Sequence, residues 1–128
     1  MNKEVAEAWV AALRSGKYTQ AIGSLKRKSD INPESMDHCV LGVLCDLRPG
    51  VEWVAVLPSS YRYSDGEGNK SLPGAATILW SGIKPNFAVP PDAIPAHLPQ
   101  KEFLHELNDS GVRYEALANI IEQHWEEM

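Results

Sequence analysis

The stretch HCVLGVLCDL, residues 38 to 47, gathers the side chains best suited to chemistry: two thiols, Cys39 and Cys45, an imidazole, His38, and a carboxylate, Asp46. Such a set could make a nucleophilic dyad, a redox pair or a metal site. The spacing argues against all three. On a helix the two cysteines stand roughly 120° apart around the axis and about 9 Å apart along it. On a strand they share a face but lie about 20 Å apart. A disulfide needs Cα atoms within about 7 Å, and zinc holds each thiolate at about 2.3 Å, so regular structure of either kind keeps the pair from acting together. His38 and Cys39 are sequence neighbours, about 100° apart on a helix, so a Cys–His dyad needs a histidine from elsewhere. Free cysteine packs as a small hydrophobe. The block reads as core.

The other candidates are weaker. His97, His105 and His124 show no i, i+4 pairing, and His105, next to Glu106, reads as a helix-surface residue. DGEGN is similar in spacing to a calcium loop, with Asp65, Glu67 and Asn69 at alternate positions. Lys70 falls where that loop needs glycine, however, and Ala76 where it needs a bidentate glutamate. We read a hairpin turn. Neither a phosphate-binding glycine loop nor a GxSxG elbow occurs. Lys26-Arg27-Lys28 is the one basic run, and it reads as a solvated helix end or loop. These residues lead us to expect no catalytic residue, no cofactor and no metal.

The elements that must position these residues follow from apolar period and punctuation. Val5, Ala8, Trp9, Ala12 and Leu13 predict an amphipathic helix with Asn2 as N-cap and Gly16 beyond its end. Tyr18, Ile22 and Leu25 continue a helical spacing, and KRKSDINPES (26–35) reads as a connection. Asn32-Pro33 then opens a helix that Arg48-Pro49-Gly50 stops, with a strand as the alternative for its apolar run. VEWVAVL (51–57) predicts a strand, Tyr61-Arg62-Tyr63 alternates, and the hairpin returns through 65–69 towards Leu72. Ala75, Ile78, Leu79 and Ile83 fit a short helix, although TILW fits a strand equally. KPNFAVPPDAIPAHLP (84–99) reads as an extended ordered loop, because its prolines remove ladder donors. Pro99 opens a helix through Leu107, Asn108-Asp109-Ser110-Gly111 ends it, and Tyr114, Leu117, Ala118, Ile121 and Trp125 mark a last one. The fold class expected is α+β: one domain over residues 1–128, mainly helical, with a small antiparallel sheet or hairpin.

At 128 residues with 44% hydrophobic content the chain can bury a core without staples. No segment approaches the ~20 apolar residues that span a bilayer, and the N-terminus does not read as a signal peptide. Two cysteines make no disulfide scaffold, which fits a reducing cytoplasm. The net charge of −5 is concentrated late: residues 101–128 hold two basic and seven acidic side chains. That balance argues against direct nucleic-acid binding, which needs clustered cations.

Four stretches together resemble a group of small bacteriophage and prophage proteins: AEAWVAALRSGKYTQAIGSL, the HCVLGVLCDL block, the later LP before an apolar segment, and LHELNDSGVRYEALANIIE. That group has a Trp-containing first helix, a CLGVLCDL-type block and a closing LND-x-G segment before a helix. The resemblance covers about half the chain and carries no chemistry to transfer. Three positions depart from it: His38 replaces an aromatic, Val40 a second cysteine, and Arg113 the usual Ser or Thr cap, so that Asp109 or Ser110 is expected to cap the last helix.

The resemblance implies an accessory protein of the host cytoplasm that binds and inhibits a host protein, a CRISPR effector or another immune component. The residue types suited to such an interface are Tyr61, Arg62 and Tyr63 on the hairpin and Glu115, Glu122 and Glu126 on the acidic last helix. The alternative is an oligomeric protein that sequesters a nucleotide signal through Arg62, Lys70, Lys84 and Arg113. A small enzyme using Cys39, Cys45 or His105 is the third reading. Homo-oligomerisation stays open.

Overall fold

The computed structural model describes residues 1–32, 34–57, 61–67 and 69–128. Helix α1 spans Lys3–Arg14, and the Asn2 side chain caps it by accepting from the Glu4 N–H at 3.0 Å. Its buried face is Val5, Ala6, Trp9, Val10 and Leu13. Ala8, expected on that face, is exposed, and Ala6 and Val10 replace it. Gly16 follows in the left-handed conformation, at φ +78°.

The chain then departs from the helical reading. Thr19–Gln20 forms strand β1, Lys26–Lys28 β2 and Met36–His38 β3. The helical spacing of Tyr18, Ile22 and Leu25 was therefore accidental, and the 26–35 run is not a plain connection. The basic run is a strand rather than a solvated end. It is half-buried because its stems lie over aromatic rings: Lys26 Nζ is 5.0 Å from the Trp53 ring, and the Arg27 guanidinium 5.9 Å from that of Tyr61. Asn32 accepts from the Glu34 N–H in a local turn and does not open a helix. Pro33, its expected first residue, lies outside the described residues.

Helix α2 starts later, at Val40–Leu47, with Cys39 as its N-cap. Sheet pairing consumes 36–38, and the Cys39 N–H is tied to the Leu25 carbonyl at 3.2 Å. Strands β4 (Val54–Ala55) and β5 (Arg62–Ser64) pair antiparallel. The expected hairpin is therefore the 54–64 unit. The 65–69 segment does not return a strand; it leads into helix α3, Ala75–Ser81, which excludes the strand reading of TILW. The sheet order is β1-β3-β2-β5-β4, small as expected but mixed, since β1 runs parallel to β3.

The proline-rich segment is extended, crossing back through an Ala88–Phe103 bridge and a Val89 N–H to Glu102 carbonyl bond of 3.0 Å. It delays helix α4 to Leu104–Asp109, so Pro99 does not open it. Helix α5 spans Tyr114–His124 with Arg113 at its N-cap and no side-chain cap. Neither Asp109 nor Ser110 caps it. The Asp109 carboxylate instead accepts from the Gly23 N–H at 2.9 Å. A 3₁₀ turn, Trp125–Glu127, closes the chain. Among the described residues no helix is long and apolar enough to cross a membrane.

One core gathers Trp9 and Leu13 of α1, nearly all of α2, Leu104 and Leu107 of α4, and Leu117 and Ile121 of α5. At its centre α2 meets the backbone of Leu25, the residue before β2. A Cβ on Gly42 would stand 1.7 Å from the Leu25 carbonyl oxygen. Asn108, fully buried, stitches the surrounding pieces. Its Oδ1 accepts from the Val40 N–H at 3.0 Å and from Gln20 Nε2 at 2.9 Å, and its Nδ2 donates to the Ala21 carbonyl at 2.8 Å. Because the clash at Gly42 is with backbone, no rotamer relieves it. Gly42→Ala is expected to cost more than about 3 kcal/mol or to prevent folding. Urea denaturation of the purified variant checks this; a midpoint near the wild type's would show that the helix sits farther from the Leu25 backbone.

Candidate functional site

The two cysteines occupy unlike positions. The Cys39 Sγ accepts from the Gly42 N–H at 3.4 Å, as the cap of α2, and burial pushes its thiol up to about 12. One and a half turns on, Cys45 Sγ donates to Asp65 Oδ2 at 3.5 Å, and burial beside that carboxylate raises its thiol further. Both are free and buried. A thiol held so far above neutrality carries little thiolate, the reactive form. Among the described residues no group of three His, Cys, Asp or Glu side chains is placed to hold a metal.

Asp65, read from sequence as turn chemistry, is buried and organises the β5–α3 connection. Its Oδ2 accepts from the Gly74 N–H at 2.9 Å and the Thr77 hydroxyl at 2.8 Å. Arg48 bridges the same knot, donating to Thr77 Oγ1 and to the Asp65 carbonyl. The stop signal expected of Arg48 is thus also a tether between the end of α2 and the start of α3.

Around His38 a second knot forms. Its ring lies edge-on to Tyr18 at 5.1 Å and to Trp53 at 5.8 Å between centroids. Register places Gln20, Lys26 and, one strand farther, Tyr63 on the same side of the sheet. Asp46, at the end of α2, accepts from Tyr18 Oη at 2.7 Å and from Trp53 Nε1 at 3.0 Å. Burial opposes its charge, yet those two donors, with His38 and Lys26 nearby, hold the carboxyl below its ordinary range. Burial lowers Lys26 and raises the Tyr18 phenol, the latter helped by its bond to Asp46. Tyr114 of α5 donates its hydroxyl to the His38 carbonyl. This knot ties the segment before β1, the sheet, α2 and the start of the hairpin into one polar–aromatic unit.

On the other side of the sheet lies an aromatic–cationic patch. Tyr61 stands between two guanidiniums, Arg27 at 5.9 Å and Arg62 at 5.6 Å. The expected trio is therefore split: Tyr61, just before β5 and outside its alternation, meets Arg62, while Tyr63 within the strand faces Lys26 on the opposite side, at 5.8 Å. The acidic trio sits on α5 and the closing turn. Glu122 receives two bonds from Arg14 of α1, at 2.8 and 3.2 Å, and Glu115 lies 3.7 Å from the same guanidinium. These two glutamates join α1 to α5, and Glu126 is exposed. Arg62, Lys70, Lys84 and Arg113 fall on separate segments, of which Arg113 lines an open cleft of about 420 Å³ with Arg14, Tyr18 and Tyr114. His105 is half-buried and stacks on Phe103 at 5.6 Å, rather than lying free on a helix surface.

Sequence reasoning missed Asp46, Asp65 and Asn108 as hubs. The available signal was polarity in the wrong place: a carboxylate closing an apolar helix, and an asparagine directly after a core leucine. Buried polar groups must find partners, but which partners is a tertiary matter.

The chain belongs to the family described as a domain of unknown function (DUF8296), whose model matches residues 1–125. Neither a curated protein nor a solved structure matches it.

Both thiols are expected to react with a disulfide reagent at pH 8 at least about 100-fold more slowly in the folded protein than in guanidinium. Stopped-flow absorbance of the released thiolate measures this. A cysteine that reacts equally fast in both states would be an accessible thiol rather than a buried one, and one that reacts faster when folded would be an activated nucleophile.

Proposed function

We propose that this member of the DUF8296 family is a non-enzymatic, phage-type accessory protein of the host cytoplasm that binds and inhibits a host protein, a CRISPR effector or another defence component. The observation that carries the reading is the Tyr61 patch. Tyr61 is 45% exposed between Arg27 and Arg62, and the same end of the sheet presents Leu57 at 81% and Ile31 at 97% exposure. Tyrosine and arginine are the residue types that most often anchor interfaces, and exposed large apolar side chains grouped with them add area for a partner to bury. Pairing of the guanidiniums with the ring holds both in fixed directions before a partner arrives, which lowers the ordering cost of binding. Glu115 and Glu122 contribute less to this reading than the hairpin does, since Arg14 already engages them. The resemblance to phage and prophage proteins supports the host context.

In cells carrying each of a panel of CRISPR effectors, expression of the chain is expected to restore transformation by a targeted plasmid against at least one. Tyr61→Ala with Arg62→Glu, folded by circular dichroism, is expected to reduce that restoration at least about tenfold, as hot-spot losses of 1.4 kcal/mol or more do. A chain that leaves interference by every effector unchanged and co-purifies with no host defence protein overturns the reading.

A further inference from the structure

His38 is the only one of the four histidines in the buried core, at 6% exposure. Neither of its ring nitrogens has a hydrogen-bond partner among the described residues. The groups around it come from five directions. Tyr18 and Gln20 approach from β1 and the segment before it, Lys26 from β2, Asp46 from α2, and Trp53 from the start of the hairpin. Tyr63 of β5 lies beyond Lys26, and Tyr114 of α5 is engaged with the His38 carbonyl. Asp46 is the only carboxylate in this set. Tyr18 and Trp53 already donate to its two oxygens, one each.

A neutral imidazole fits this shell, packed by ring edges. An imidazolium does not, because it brings two donors and a charge into a site whose one anion is already engaged and whose nearest cation, Lys26, repels it. We propose that the knot is an acid-operated latch: protonation of His38 draws the Asp46 carboxylate from Trp53 and Tyr18 and frees the segment that enters the hairpin at Trp53, while β5 stays paired with β2. The hairpin carries Tyr61 and Arg62, so the consequence for binding rests on the function proposed above, while the latch itself does not.

The direction follows from linkage. Burial, with repulsion from Lys26 and against attraction by Asp46, lowers His38 from 6.5 to about 4 in the closed form. The released form titrates near the ordinary value and therefore takes up a proton first as pH falls. The closed form is fully favoured above about pH 6.5 and loses ground down to about pH 4. Its advantage over the released form falls about tenfold per pH unit, roughly 300-fold across the whole window.

The test is a ¹⁵N NMR titration of the free chain from about pH 7.5 to about pH 4, following the His38 ring and the Trp53 indole N–H. His38 is expected to protonate well below pH 6.5, and the Trp53 indole signal to lose its hydrogen-bonded shift with the same midpoint. In His38→Phe, which keeps an aromatic ring without a proton site, the Trp53 signal is expected to hold across that range. An ordinary His38 midpoint overturns the latch. So does a Trp53 signal that stays put while His38 titrates, or one that moves equally in His38→Phe. Should that variant fail to fold, the shared or separate midpoints in the wild-type chain decide the matter alone. Both readouts use the chain without a partner, so they fail or succeed independently of the interference assay.

Discussion

Helix α2 meets the backbone of Leu25, just before strand β2, with no side chain between them, and the elements around it are placed by that contact. Gly42 has room only for a hydrogen where it meets the Leu25 carbonyl, and the same carbonyl accepts from the Cys39 N–H. The first turn of α2 is then surrounded by partners. Asn108 of α4 takes the Val40 N–H, and the Trp9 indole of α1 donates to the Val40 carbonyl at 2.9 Å. A helix terminus buried this deeply must have its orphan donors satisfied from outside. Here the Leu25 carbonyl, Asn108 of α4 and the Cys39 sulfur accept from the N–H groups of Cys39, Val40 and Gly42.

Three polar hubs spread outward from that seat. Asn108 joins α4 to β1 and α2, Asp65 joins the end of β5 to α3, and Asp46 joins α2 to Tyr18 and Trp53. Each gathers donors that would otherwise be buried without acceptors, where the loss of one partner costs about 1–3 kcal/mol. Asp46 stands near the end of the HCVLGVLCDL block and Asn108 in the LND-x-G segment, and each residue type there has a structural role. Cys39 caps a helix, Gly42 permits close approach, Cys45 and Asp46 end on carboxyl contacts, and Gly111 turns the chain at φ +90°.

The hairpin is joined to this framework at both ends. Its start is held through Trp53 and Asp46, and its far end carries Tyr61 and the exposed Leu57. Its return strand β5 is paired with β2 and runs into the Asp65 knot, so the entering segment at Trp53 is the part of the hairpin that lies beside His38.

Much of the architecture was legible in the residues. The helices at 3–14 and 114–124 follow from apolar spacing over three turns, long enough for the period to be unambiguous. Prolines between 85 and 99 leave few ladder donors, and that segment is extended rather than helical. The sheet was not legible. Its strands are two or three residues long, and β2 is Lys-Arg-Lys, so neither alternation nor hydrophobicity could announce them. Those strands exist because the core beneath them already has its shape and because aromatic rings from elsewhere cover the cationic stems. The start of α2 moved from Pro33 to Val40 for the same reason: pairing with β1 and β2 competes for 36–38 and wins. Local period, covalent restriction and charge are properties of a segment, and the sequence by itself determined what depends on them. The partners of Asn108, Asp65, Asp46 and His38 lie up to 88 residues away along the chain, and such meetings are set only when every element has packed.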